Sequence, residues 1–191
     1  LPLLSALADR VLPILVRRSI SRTRLSFESA FLRLGGEVTT TTGFTFSSMA
    51  KGESIADTSR VVSGYSDVLV VRHPDEGSVA EFASASVVPV INAGDGAGEH
   101  PSQALLDFYT LKSELQRRDR LVDGCTIAIV GDLKYGRTVH SLIKLLSLAE
   151  GITFRTYSPP SLELPPDVAH YARARGHQVC DAESVTDALV G

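Results

Sequence analysis

The sequence predicts an α/β protein made of doubly wound parallel sheets with helices on both faces. Two observations carry that expectation. Short runs rich in Val, Ile, Leu and Thr, each bounded by Gly, Pro or Asp, recur along the 191 residues, and such runs read as strands. Between them lie segments whose apolar residues recur at helical spacing. Alternation of strand with helix is the pattern of parallel sheets joined by crossover helices. The chain carries no internal repeat and no low-complexity tract.

Each element can be justified in order. Residues 1–18 are an atypical N-terminal segment, apolar at Leu3, Leu4 and 11–16 and then basic at Arg17 and Arg18. It reads either as a weak leader or as a plain strand at 14–18. The chain begins without Met, so a fragment of a longer protein is expected. A helix is expected over 23–34, with Leu25, Phe27, Ala30, Phe31 and Leu34 forming its apolar face. Gly35 and Gly36 end it. Residues 37–42 read as a strand, and 43–53 as a polar, mobile loop. Then come a helix at 54–65, a strand at 67–72 closed by His73-Pro74, and a helix at 78–85. A strand at 87–93 leads into a flexible glycine turn at 94–98. Pro101 opens a long helix to about residue 117, where its missing N–H costs nothing.

The charged stretch 115–124 interrupts the pattern, and a domain boundary is expected there, between 19–119 and 120–191. Beyond it a buried strand is expected at 126–130, a helix at 137–150 and a strand at 152–158. A loop at 159–166, a helix at 166–176, a strand at 177–180 and a last helix from 184 complete the series.

Composition excludes several classes. With 43% hydrophobic and 21% charged residues the chain has the makings of one large or two small globular domains. A formal net charge of −3 argues against a general nucleic-acid binder. No apolar run approaches the ~20 residues of a membrane span. Cys125 and Cys180 lie in strand-like runs without metal spacing. Both are expected to be reduced core residues of an intracellular protein. No Cys/His cluster suggests zinc.

The candidate site gathers at strand ends, where open α/β sheets bind ligands. Ser21, Arg22, Thr23 and Arg24 open the first helix, and a helix N-terminus with free N–H groups is a natural anion seat. An arginine fork there would suit phosphate; an ordinary N-cap with solvated arginines is the alternative. Arg72 closes one strand, or pairs with Asp75 or Glu76. His100 and Gln103, three apart across a helix start, could hold a carbonyl and an amino group together, or be a turn residue and a solvated amide. Arg137 follows the strand at 126–130, or caps its own helix. The segment 131–137 lacks the Gly-Lys-Ser/Thr ending of a nucleotide-triphosphate loop, and no Gly-x-Gly-x-x-Gly is present.

These residues resemble a known family. Ser21-Arg22-Thr23-Arg24-Leu25-Ser26-Phe27-Glu28 is similar to the carbamoyl-phosphate signature of the transcarbamoylases, and His100-Pro101-Ser102-Gln103 to their His-Pro-x-Gln signature. Lys51-Gly52-Glu53, Arg72-His73-Pro74, 92–96 and 131–140 resemble the aspartate branch in particular. The resemblance covers about residues 20–191. It implies a carbamoyl-phosphate-binding domain at 19–119 and a partial aspartate-binding domain at 120–191. It implies transfer of the carbamoyl group of carbamoyl phosphate to L-aspartate in pyrimidine synthesis, with no metal or organic cofactor. It also assigns roles: Ser21, Arg22 and Thr23 to phosphate; Thr23, Arg72 and His100 to the carbamoyl oxygen; Gln103 to the carbamoyl amine; Arg137 to the aspartate α-carboxylate. Ser47 and Lys51 would reach a neighbouring subunit's site in a cytoplasmic homotrimer, or an organellar one if a transit segment precedes the chain.

Two departures from the family pattern matter. Ile20 stands where the signature has Ser, with Ser19 nearby, and the usual N-terminal helix is not recognisable. Family members also continue well past residue 191, so weak or no turnover is expected of this chain alone. A transcarbamoylase for another amino acid and a non-catalytic homologue are the competing readings.

Overall fold

The computed structural model describes residues 7–8, 10–16, 21–42, 52–96 and 98–190, apart from the side chains of Val16, Ser21, Thr41 and Thr42. Ser47 and Lys51, Ser19 and Ile20, and most of the expected loop at 43–53 lie outside these residues.

The chain forms two compact units, Leu1–Gly98 and Glu99–Gly191. The first holds β1 (Val11–Val16), α1 (Ser21–Arg33), β2 (Glu37–Thr42), α2 (Ile55–Ser63), β3 (Leu69–His73), α3 (Ser78–Ala85) and β4 (Val90–Asp95). Its four strands run parallel in the order β2-β1-β3-β4. Because side chains alternate across a strand, each strand feeds two cores. Leu12, Ile14, Val70 and Ala93 pack with Phe31 and Phe27 of α1 on one face. Leu15, Leu69 and Val71 pack with Val79 and Phe82 of α3, and with Ile55 and Val62 of α2, on the other. Helices therefore cover both faces, as expected.

The strand order places a topological switch beside β1. From β1 the chain crosses one face through α1 to β2, then returns over the other face through α2 to β3 on the far side of β1. The carboxyl ends of β1 and β3 thus part into loops on opposite faces, which is where such sheets leave a crevice.

Several boundaries differ from those read in the sequence, each for a physical reason. β1 occupies 11–16, not 14–18, and contains Pro13. Its pairing with β3 begins only at Ile14, one residue past the proline. Asp67 anchors the start of β1, accepting from the Val11 N–H at 2.8 Å and from Arg10 at 2.6 Å. That backbone bond, then Arg10, holds its carboxyl below the usual range. On α1 the buried face is Phe31 with half-buried Phe27 and Leu34. Leu25 and Ala30 point outward, contrary to the expected apolar face. Arg24 and Glu28 sit half-buried as a pair at 3.4 Å, and Glu28 also accepts from Thr40 Oγ1 at 2.5 Å. β4 starts at Val90, not Val87, and runs on through Gly94 and Asp95 where a turn was expected. The register shifts opposite Val71–His73, and the Asp95 carboxylate accepts from the N–H groups of Gly77 and Val79 at the start of α3. A helix N-terminus rewards a carboxylate there.

The second unit holds α4 (Pro101–Gln116), β5 (Thr126–Val130), α5 (Arg137–Leu146), β6 (Thr153–Tyr157), α6 (Pro166–Arg173), β7 (Gln178–Asp181) and α7 (Val185–Leu189). A short 3-10 turn at Pro160–Leu162 lies in the expected loop. The strands are parallel in the order β5-β6-β7. Ile129, Phe154 and Val179 pack with Ile143 and Leu146 of α5 and Val168 and Ala172 of α6. Arg155, on the opposite face of β6 from Phe154, reaches Asp187 of α7 at 2.7 Å, so α7 covers that side. Phe108, Leu111 and Leu115 of α4 pack against the same core, as does Val122. Contacts therefore group α4 with the second unit. The charged stretch 115–124 is the connector that leads from α4 to β5, not the point where the two compact units part.

Cys125 is buried in this core, and burial pushes its thiol pKa up. Cys180 is exposed, contrary to expectation. It sits on an edge strand whose buried residue is its neighbour Val179. Both thiols are free.

Candidate active site

In the first unit Thr23 and Arg72 meet at the switch point. Ser21 opens α1, and Thr23 lies in its first turn. Arg72, next to last in β3, is in register with Val16, the last residue of β1. Its Nη1 donates to Thr23 Oγ1 at 2.9 Å and to the Ala93 carbonyl at 3.3 Å. The Thr23 oxygen accepts from Arg72, so its own hydroxyl hydrogen is directed elsewhere. Asp75 lies 3.7 Å from His73 Nδ1. Arg22 is exposed beside Thr23.

Gly94 makes room for this arginine. Its φ is +135°, and a Cβ there would stand 3.3 Å from Arg72 Cζ and 3.4 Å from Nε. The arginine side chain therefore passes close to backbone that only glycine adopts readily. Asn92 fixes the approach, its Oδ1 accepting from the Gly94 N–H at 2.7 Å.

In the second unit His100 caps α4, with φ −129° and ψ 66°. Its Nδ1 accepts from the Gln103 N–H at 3.3 Å. A neutral ring in that bond carries its proton on Nε2, a donor suited to a carbonyl oxygen. Gln103 Nε2 donates to Asp107 Oδ1 at 2.9 Å, which orients Oε1 as the acceptor. Arg137 is the first residue of α5, its N–H bonded to the Tyr135 carbonyl at 2.9 Å.

Sequence reading missed the support behind His100. The His100 N–H donates to Ser141 Oγ at 2.9 Å. Ser141 donates in turn to Glu99, which also accepts from Lys144. Burial of the Glu99 carboxyl opposes its charge, but the bonds from Lys144 and Ser141 outweigh that and hold its pKa below the usual range. No local motif signals this set, because Glu99 and Lys144 are 45 residues apart. Asp95 was missed for the same reason.

Among the described residues no group of three or more His, Cys, Asp or Glu could hold a metal ion. No helix among them is long and apolar enough to cross a membrane.

Known proteins with this architecture point one way. The family model for the aspartate/ornithine carbamoyltransferase carbamoyl-P binding domain matches residues 3–113. That range includes every candidate residue except Arg137, and it ends inside α4. The aspartate carbamoyltransferase catalytic subunit of Dichelobacter nodosus is 60% identical over 171 residues, covering 90% of this chain and 49% of the relative. The catalytic subunit of M. jannaschii aspartate transcarbamoylase superposes with a TM-score of 0.86 at 48% identity, over 97% of this chain and 59% of that one. Aspartate transcarbamoylase from Trypanosoma cruzi, solved with carbamoyl phosphate and aspartate, gives 0.83 at 43% identity, over 98% and 62%. The chain thus spans about half the length of the curated relatives it matches. With its matched domain, its switch-point arginine and its capping histidine, the chain belongs to the aspartate/ornithine carbamoyltransferase family.

Proposed function

We propose that this chain is the carbamoyl-phosphate-binding part, with a portion of the aspartate-binding part, of an aspartate carbamoyltransferase. The reaction joins carbamoyl phosphate and L-aspartate to give N-carbamoyl-L-aspartate and phosphate, a step of pyrimidine synthesis. The single observation that carries this reading is the Arg72–Thr23 pair at the sheet's switch point, 2.9 Å apart, set in a chain whose relatives bear that name.

The chemistry follows from the donors. The aspartate α-amine attacks the carbamoyl carbon, a C–N bond forms and the C–O bond to phosphate breaks. Negative charge grows on the carbamoyl oxygen during attack. Thr23, Arg72 and His100 donate to that oxygen, and donors fixed in advance stabilise the transition state more than the ground state. Gln103 accepts from the carbamoyl amine, which orients the group. Ser21, Arg22 and Thr23 take the phosphate at the N-terminus of α1, where backbone N–H groups and the helix dipole favour an anion. Arg137 binds the α-carboxylate of aspartate. Ser47 and Lys51 act in a neighbouring subunit's site of a homotrimer, and the enzyme works in the cytoplasm without metal or organic cofactor.

A transfer assay tests the reading. Labelled carbamoyl phosphate is offered with L-aspartate or L-ornithine to the polypeptide that carries these residues. The expected product is carbamoyl aspartate. Arg72→Ala should lower its formation about 10²–10³-fold, the usual cost of one oxyanion donor, with little change in thermal stability. Carbamoylation of ornithine in preference, or equal losses of activity and stability, would contradict it.

A further inference from the structure

The side-chain set behind His100 has no part in the reading above, and its geometry gives it one. We infer that Glu99, Ser141 and Lys144 are positioning residues that aim His100 at the carbamoyl group; this rests on the carbamoyl-phosphate reading of His100.

Three features support it. First, Ser141 is 5% exposed and both its hydrogen-bonding functions are used, accepting from the His100 N–H at 2.9 Å and donating to Glu99. A buried hydroxyl without partners would be costly, so its place is defined by these two groups. Second, His100 is held at two points, one on its main chain and one on its ring. Its main chain is tied to α5 through Ser141, and Nδ1 is tied to the Gln103 N–H. Pro101 further disfavours the helical region for the His100 backbone, which sits at φ −129° and ψ 66°. Helix α5 thus fixes the backbone from which the ring projects, and α4 holds the ring itself. Third, the charges balance. Glu99 is the neighbour of a residue proposed to meet a doubly anionic ligand, and an unpaired carboxylate there would repel it. Lys144 lies one helical turn from Ser141 on the same face of α5 and neutralises that carboxylate.

A purely structural tie between α4 and α5 would change stability and nothing else. Positioning of His100 makes a different prediction, since His100 and Gln103 serve the carbamoyl group and not the phosphate. Affinities for carbamoyl phosphate and for inorganic phosphate are measured by calorimetry on the whole chain. The variants are Ser141→Ala, Glu99→Ala and Glu99→Gln.

Wild type should prefer carbamoyl phosphate. Ser141→Ala and Glu99→Ala should each lose roughly five-fold of that preference, the worth of about one hydrogen bond, while inorganic phosphate binds as before. Glu99→Gln keeps an acceptor for Ser141 and should restore most of it. Half-exposed Glu99 carries the test if Ser141→Ala does not fold. A preference unchanged in Glu99→Ala, or lost equally in Glu99→Gln, overturns the positioning role alone. A wild type without preference overturns the reading of His100 and the positioning role with it.

Discussion

Arg72 and Gly94 show how one residue's chemistry depends on another's lack of a side chain. Arg72 stretches between Thr23 Oγ1 and the Ala93 carbonyl. It can do so because the backbone at Gly94, with φ +135° and no Cβ, leaves room for the arginine side chain. Alanine there faces two costs: a backbone conformation that L residues rarely adopt, worth about 1–3 kcal/mol, and a methyl group 3.3 Å from Arg72 Cζ. Gly94→Ala should therefore lower stability by that amount and weaken carbamoyl-phosphate binding as well. Denaturant unfolding and calorimetry check the two effects together. Unchanged binding in a folded variant would mean that Arg72 does not need this room.

At the scale of elements, α1 is placed by the turn that follows it. Phe31 is buried against Leu12, Ile14 and Val70, and the turn to β2 passes directly over its ring. A Cβ on Gly36 would stand 2.2 Å from Phe31 Cε1. Gly36→Ala must expel the ring or shift the turn, at a cost of about 1–3 kcal/mol. Because α1 carries Thr23 at its other end, the variant should also bind carbamoyl phosphate less well. A melting temperature equal to wild type would refute that packing.

Much of this was legible in sequence. The strand at 37–42, the helix at 78–85 and the strand at 126–130 have the expected limits, because local residue preference and burial agree there. Pro13 hid the start of β1, since prolines inside a run usually mark its end. Gly94 read as a turn because nothing local reveals the register shift that lets β4 continue. The Arg72–Thr23 and Gln103–His100 bonds join residues that short contiguous signatures single out. The bonds from the start of α3 to Asp95 and the Glu99–Lys144 pair were not legible, because those partners meet only once the chain has folded.

At the scale of the molecule, two parallel sheets each contribute part of the proposed machinery. The first unit supplies Ser21, Arg22, Thr23 and Arg72 from its switch point, and the second supplies His100, Gln103 and Arg137 from the starts of α4 and α5. Helix α4 belongs by packing to the second unit, while the family's carbamoyl-phosphate domain reaches residue 113. The two divisions describe different things, the first which side chains touch and the second which residues recur together in the family. The proposed function rests on Arg72 in the first unit and on His100 in the second. Calorimetric titration of carbamoyl phosphate into wild type, Arg72→Ala and His100→Ala tests that most directly. The account predicts that each replacement weakens binding by roughly tenfold or more, the worth of a hydrogen bond involving charge, in a chain that stays folded. Full affinity retained in either folded variant would contradict it.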